Sequence, residues 1–139
     1  MGCYDDLKGK RILVTGASRG IGEGIARAFS AAGARILLHY RSDPELAKRI
    51  ASELPGEVHL FRADLTDDSE LAALFTEIRR VFGGLDAAVN NAGWNHPGRP
   101  LGEIDPELYY HLTDLNIKGT LFCCLNEIRL MEGHGGSII

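Results

Sequence analysis

The sequence predicts an α/β protein of the doubly wound class, with one parallel sheet covered by helices on both faces. Three observations carry this. Short runs of β-branched and aliphatic residues alternate with segments of helical periodicity from one end of the 139 residues to the other. A glycine-rich turn joins the first strand to the first helix. No linker, low-complexity segment or solenoid repeat divides the chain, whose length suits one core and not two.

Taken in order, Arg11-Ile12-Leu13-Val14-Thr15 is a buried strand that stops at Gly16. Ile21, Ile25, Ala28, Phe29 and Ala32 fall at helical spacing, and Gly33 closes that helix. Arg35 to Tyr40 is the second strand. Ser42-Asp43-Pro44-Glu45 has the form of a capping box with proline in the first turn, opening a helix through Leu46, Ile50 and Leu54. Pro55-Gly56 breaks it, and Glu57 to Ala63 is the third strand. Asp67 to Glu70 caps the next helix, whose apolar stripe is Leu71, Leu74, Phe75, Ile78 and Phe82 and which ends at Gly83-Gly84. Leu85 to Asn90 is the fourth strand. A loop rich in Gly, Pro and Asn leads to Asp105-Pro106, which starts one long helix over 106–131. Gly135 to Ile139 opens a fifth strand, and the sequence ends within it. Strands separated by helices of this length require right-handed crossovers, hence a parallel sheet.

The long helix has two apolar stripes. Leu108, Leu112, Leu115, Gly119 and Phe122 form one; Ile117, Leu121, Cys124, Ile128 and Met131 form the other. Leu115 and Ile117 point roughly 200° apart at about 100° per residue, so the stripes lie on opposite faces. The face turned away from the sheet needs a cover of its own, and a second subunit would supply it.

Composition excludes several classes. An apolar fraction of 45% with 24% charged residues is that of a globular protein. A net charge of −4 argues against a nucleic-acid surface. No apolar run reaches the length of a membrane span, and the polar, acidic start lacks the core of a secretory signal. Met1-Gly2-Cys3 is followed by Asp6 where a myristoylation signal has Ser or Thr. Three cysteines, two adjacent at 123 and 124, do not make a disulfide framework and suit a reducing cytoplasm. The five histidines, 39, 59, 96, 111 and 134, lack metal-ligand spacing, so no metal site is expected.

The candidate binding site is Thr15-Gly16-Ala17-Ser18-Arg19-Gly20-Ile21-Gly22. Gly16 permits a tight turn, Gly20 lets a ligand approach the backbone, and Gly22 allows close packing of helix on strand. The N–H groups of a helix start then favour a diphosphate. It is not a P-loop, because no Lys-Ser or Lys-Thr follows. Sites for NAD place an acid at the end of the second strand to hold the ribose hydroxyls. Here that strand ends His39-Tyr40, followed by Arg41 and Ser42, with Arg19 in the facing turn. Two guanidiniums suit the 2′-phosphate of NADP(H). Hydrogen bonds to charged groups contribute about 1.5–3 kcal/mol, so each arginine would favour NADP(H) by about tenfold to a hundredfold.

These motifs resemble the short-chain dehydrogenases/reductases in their compact form. Thr15 to Gly22 is similar to that family's cofactor turn, with Gly16, Ser18, Arg19, Gly20, Ile21 and Gly22 against the dinucleotide. Asp64-Leu65 resembles its adenine-contacting pair. Asn90-Asn91-Ala92-Gly93 resembles its Asn-Asn-Ala-Gly signature, which places Asn91, Ala92 and Gly93 beside the cofactor. Asn116 in Leu115-Asn116-Ile117-Lys118-Gly119 resembles the helix asparagine counted with the family's catalytic tetrad. The resemblance covers essentially the whole chain. It implies a Rossmann fold, NADP(H), hydride transfer to or from a small carbonyl or alcohol, and a homo-oligomer built on the helix over 106–131.

In the family a serine after the fifth strand and a later Tyr-x-x-x-Lys perform the proton chemistry. Because the sequence stops within the fifth strand, the expectation is a cofactor-binding half of a longer enzyme, truncated, marginally stable and catalytically silent alone, with an unprotected strand edge. Ser137 matches a strand position upstream of the family serine. Tyr4-Asp5-Asp6-Leu7-Lys8 fits Tyr-x-x-x-Lys only by chance, since it precedes the first strand. A non-catalytic dinucleotide-binding or interaction module is the alternative reading. A transferase or epimerase domain is a third, disfavoured by the compact turn and by Asn90 to Gly93.

Overall fold

The computed structural model describes residues 5–95 and 97–139. The strands are β1 (Arg11–Val14), β2 (Arg35–Tyr40), β3 (Val58–Arg62), β4 (Ala87–Val89) and β5 (Ser137–Ile138). They form one sheet in the order β3-β2-β1-β4-β5, and every pairing is parallel. The helices are α1 (Gly20–Ala31), α2 (Pro44–Glu53), α3 (Asp68–Phe82), α4 (Pro106–Thr113) and α5 (Thr120–Met131). The expected doubly wound α/β architecture is therefore present.

Period-two alternation along the strands divides the core into two layers. Leu13 and Leu37 face one way, with Leu71, Leu74, Phe75 and Ile78 of α3 and Cys123, Leu130 and Met131 of α5. Ile12, Val14, Ile36 and Leu38 face the other, with Ala26 of α1 and Ala47 and Ile50 of α2. Central strands with both faces covered must be apolar at successive positions, which is why β1 and β2 read as continuous aliphatic runs. β1 and β4 are held at their starts by Arg11, which donates to Asp86 from its backbone N, Nε and Nη2, each at 2.8 Å. That guanidinium holds the Asp86 carboxyl well below the usual carboxylate range.

Three local expectations need correction. The strands are shorter than read: Thr15, Ala63 and Asn90 lie beyond the ends of β1, β3 and β4. α2 is capped by Asp43, which accepts from the Leu46 N–H at 2.9 Å, rather than by a box starting at Ser42. Asp43 directly precedes Pro44, and this leaves Ser42 outside the helix.

The third correction is larger. The helix expected over 106–131 is interrupted by a π-helical stretch, Asp114–Gly119, between α4 and α5. The wider turn adds a residue and rotates the face that follows. The stripe expected to run Leu108, Leu112, Leu115, Gly119, Phe122 therefore continues through Cys123, Glu127 and Leu130, while Phe122 is 43% exposed. Met131, placed on the outer stripe by 3.6-residue spacing, is buried. The outer face consists of Ile117, Leu121, Phe122, Leu125 and Ile128, all exposed.

Candidate functional site

A cleft of about 500 Å³ opens where the strand order reverses, at the carboxyl ends of β1, β2 and β4. Its walls include Gly16, Ser18 and Arg19 of the first turn, His39 of β2, Arg41 and Ser42 after β2, Leu65 after β3, and Asn91, Ala92, Gly93 and Trp94 after β4. Such reversal points are where open α/β sheets bind ligands, because the loops on either side diverge there.

The turn is shaped for close approach. Gly16 and Gly20 have φ of 62° and 58°, in the left-handed region that side chains disfavour. A Cβ on Gly16 would lie 3.0 Å from Ala92 Cα, and one on Gly22 would overlap Asn91 Nδ2 and the Gly16 carbonyl oxygen. By contrast nothing lies within 4 Å of where a Cβ on Gly20 would be. Gly16 and Gly22 thus serve internal packing, while Gly20 presents open backbone at the start of α1. Arg19, as N-cap of α1, makes no side-chain cap bond to the N–H groups of the helix start.

The segment after β4 is fastened to this turn. Asn91 Nδ2 donates to the carbonyl oxygens of Thr15 (3.0 Å) and Gly16 (3.1 Å), and the Ala92 N–H donates to Thr15 Oγ1 at 3.0 Å. His39, which sequence reading passed over as an ordinary strand residue, completes the frame from β2. The Gly16 N–H donates to His39 Nδ1 at 3.0 Å, so the ring proton is on Nε2, which donates to the Ala63 carbonyl at 2.9 Å. The ring is buried, and burial pushes its pKa down, keeping it neutral. A polar residue inside an otherwise aliphatic strand was the signal that could have found it.

The remaining expected site residues divide. Arg19, Arg41, Ser42 and Leu65 line the cleft with Gly16, Ser18, Asn91, Ala92 and Gly93. Ile21 is 79% exposed, and neither it nor Gly20 nor Gly22 forms a wall of the cleft. The Asp64 side chain is turned to Thr66, accepting from its N–H (2.9 Å) and hydroxyl (2.7 Å). Burial opposes ionisation of Asp64, but the Thr66 bonds and the nearby Arg41 and Arg62 guanidiniums hold its pKa below the ordinary value. Asp64 therefore shapes the loop, and Leu65 meets the cleft.

Arg62 at the end of β3 is a further contributor that sequence reading did not single out. Its Nε donates to the Arg41 carbonyl (3.0 Å) and its Nη1 to Glu70 (2.7 Å), whose other bond is from the Asp64 N–H (2.6 Å). This bracket fixes the backbone that carries Arg41. Among the described residues, neither the Arg19 nor the Arg41 guanidinium has a hydrogen-bond or ion-pair partner.

Asn116 lies in the π-helical stretch and grips the loop after β4. Its Oδ1 accepts from the Trp94 N–H (2.9 Å), and its Nδ2 donates to the Trp94 carbonyl (2.7 Å). Trp94 stacks edge-on against His111 of α4 (4.4 Å between centroids) and separates the main cleft from a second cavity of about 340 Å³ lined by Arg99, Asp105, Glu107, Leu108 and His111. Asn95 adjoins it, while His96 and Tyr4 lie outside the described residues. Ser137 is an exposed residue of β5 paired with Ala87. No cluster of metal ligands occurs among the described residues, and no helix among them is long and apolar enough to cross a membrane.

An open parallel sheet with a glycine turn, a helix start without a side-chain cap and a cleft at the reversal point defines the class of dinucleotide-binding α/β proteins. A sequence profile described as short chain dehydrogenase matches residues 10–139. A 3beta-hydroxysteroid dehydrogenase of Mediterraneibacter gnavus is 33% identical over 100% of this chain and 50% of its own length. An L-fucose dehydrogenase of Oryctolagus cuniculus is 38% identical over 94% of this chain and 45% of its own. The crystal structure of a short-chain type dehydrogenase/reductase from Mycobacterium marinum superposes with a TM-score of 0.89 at 30% identity, covering 97% of this chain and 56% of that one. The chain belongs to the short-chain dehydrogenase family of oxidoreductases, whose members bind nicotinamide dinucleotides. It spans about half the length of the curated relatives it matches.

Proposed function

We propose that this chain forms the NADP(H)-binding part of an oxidoreductase that interconverts a small carbonyl compound and its alcohol. The observation that carries the cofactor choice is the pair Arg19 and Arg41, both on the cleft wall and neither guanidinium ion-paired or hydrogen-bonded to a carboxylate among the described residues. No carboxylate stands at the end of β2 or at the two positions after it to hold a free ribose 2′-hydroxyl, Asp43 being engaged as the cap of α2, and the Arg62 bracket steadies the backbone of Arg41. The start of α1 with Gly20 would receive the diphosphate, Arg19, Arg41 and Ser42 the 2′-phosphate, Leu65 the adenine edge, and Asn91 to Gly93 the nicotinamide half. These groups bind and orient. A bound nicotinamide supplies the hydride that the reaction moves, and Asn116 holds the Trp94 segment beside it.

The outer face of the π-helical stretch and α5 suits a second copy of the chain, because five large apolar side chains there are exposed together. Cys123 and Cys124 are free thiols, which fits a reducing, cytoplasmic setting.

The test is titration of the protein with NADPH and NADH, following Trp94, the only tryptophan of the sequence and a residue of the cleft wall. NADPH should bind more tightly, and Arg41→Asp should weaken it about tenfold to a hundredfold while favouring NADH in relative terms. Equal affinity for the two cofactors in the unaltered protein refutes the phosphate clamp.

A further inference from the structure

Glu127 of α5 is fully buried, yet only one of its carboxyl oxygens has a partner. Oε2 accepts from Asn90 Nδ2 at 2.9 Å, and Oε1 is without any hydrogen-bond partner among the described residues. Asn90 directly follows β4, its N–H donates to the Ile139 carbonyl at 2.8 Å, and its chain continues directly into Asn91, Ala92 and Gly93 of the cleft wall. The same amide group lies 3.6 Å from Cys124 Sγ. An ionised carboxylate here would have one neutral donor and no counter-charge, which is a costly arrangement in a protein interior.

We propose that Glu127 is a proton-dependent positioning residue: neutral, it holds Asn90 and the adjoining cleft wall in the arrangement seen, and ionised, it loosens that wall. Loss of the proton places a charge between α5 and the sheet. The charge is relieved by admitting water to this seam, at the expense of packing between α5 and β4. The motion passes along four consecutive residues, from Asn90 to Gly93, and reaches Trp94.

The surroundings leave Glu127 as the group that titrates here. β4 and β5 contribute no ionisable side chain. On α5, burial above all, and then the charge of Glu127, push the Cys123 thiol up to about 12 and raise Cys124 as well, so both remain protonated. On the α3 side, Arg79 lies with Arg129 along the outer seam. Only burial, which raises its pKa, and the Asn90 bond, which lowers it, act on Glu127, and burial prevails, bringing it to about 7. A carboxyl raised in the folded state binds its proton more tightly there than in the unfolded chain. The stability it secures is complete below the ordinary carboxylate value and is lost as pH rises to about 7, after which the loss levels off. His39 acts with the opposite sign, since its lowered pKa costs stability as pH falls below about 6.5. A comparison of two proteins that both contain His39 removes that contribution.

The experiment compares the unaltered protein with Glu127→Gln, which cannot ionise, by equilibrium unfolding and by Trp94 emission of the ligand-free protein from pH 5 to 8.5. The folding constant of the unaltered protein, divided by that of the variant, should fall by about tenfold per pH unit between about 5 and 7 and then level off. Trp94 emission should diverge between the two over the same interval. Parallel profiles in either measurement overturn the proposal, because a merely structural Glu127 would shift both proteins equally at every pH. Should Glu127→Gln not fold, carboxyl carbon NMR of the unaltered protein decides. A Glu127 signal titrating near 7 in step with Trp94 emission supports the proposal, and one titrating in the ordinary carboxylate range, or out of step with the emission, overturns it. None of these readouts requires a bound dinucleotide, so failure of the cofactor assignment would be seen separately.

Discussion

At Gly22 the reason for glycine is steric rather than conformational. A Cβ there would overlap both the Gly16 carbonyl and Asn91 Nδ2, the groups that join the first turn to the segment after β4. Gly22→Ala should therefore destabilise the protein by about 1–3 kcal/mol, as overpacking of a close contact does, and should weaken dinucleotide binding as well. Chemical denaturation measures the first and Trp94 titration the second. Gly20→Ala makes an informative contrast. Its φ of 58° imposes strain on alanine, but its Cβ would meet nothing within 4 Å in the free protein. The roles of Gly16 and Gly22 were legible from spacing alone. His39 was not, because a histidine in a strand reads as a surface or packing residue until its two ring nitrogens are seen to join Gly16 to Ala63.

Among the elements, the segment from α4 to α5 departs most from the sequence expectation. Periodicity of 3.6 residues continues through 106–131, and nothing in composition marks the wider turn at Asp114–Gly119. The cause lies in contacts made from that turn. Asn116 bonds the Trp94 backbone twice, Lys118 Nζ donates to the Thr66 carbonyl (3.1 Å) and pairs with Asp68 (2.8 Å), and Gly119 packs against the Leu65 carbonyl. A π turn lets Asn116 and Gly119 both meet their partners. Asn116→Ala should cost about 1–2 kcal/mol for the lost bonds and release the Trp94 segment, seen as a red shift of emission and easier quenching by acrylamide. An unchanged emission spectrum would show that the bonds to Asn116 do not position Trp94.

For the molecule as a whole, the most extended apolar surface described above is the outer face of the π-helical stretch and α5. Ile117, Leu121, Phe122, Leu125 and Ile128 are between 40% and 64% exposed, and large apolar patches on soluble proteins mark association surfaces. The proposed homo-oligomer predicts that Leu121→Glu combined with Ile128→Glu lowers the sedimentation coefficient to that of a monomer and leaves the far-ultraviolet circular dichroism intact. A protein already monomeric before substitution would refute the assembly.

The sequence by itself determined the parallel α/β architecture, the glycine turn, the cleft-lining residues Arg19, Arg41 and Asn91 to Gly93, and the existence of two apolar faces on the last helical segment. These follow from local signals: period-two and helical spacing, turn chemistry, and helix starts and stops within a few residues. Only the tertiary structure decided the π turn, the Arg62 bracket on Arg41, the neutral His39 and the half-satisfied Glu127. Each depends on partners brought together from separate strands and helices. The energy of a buried polar group is set by those partners, and spacing along the chain does not encode them.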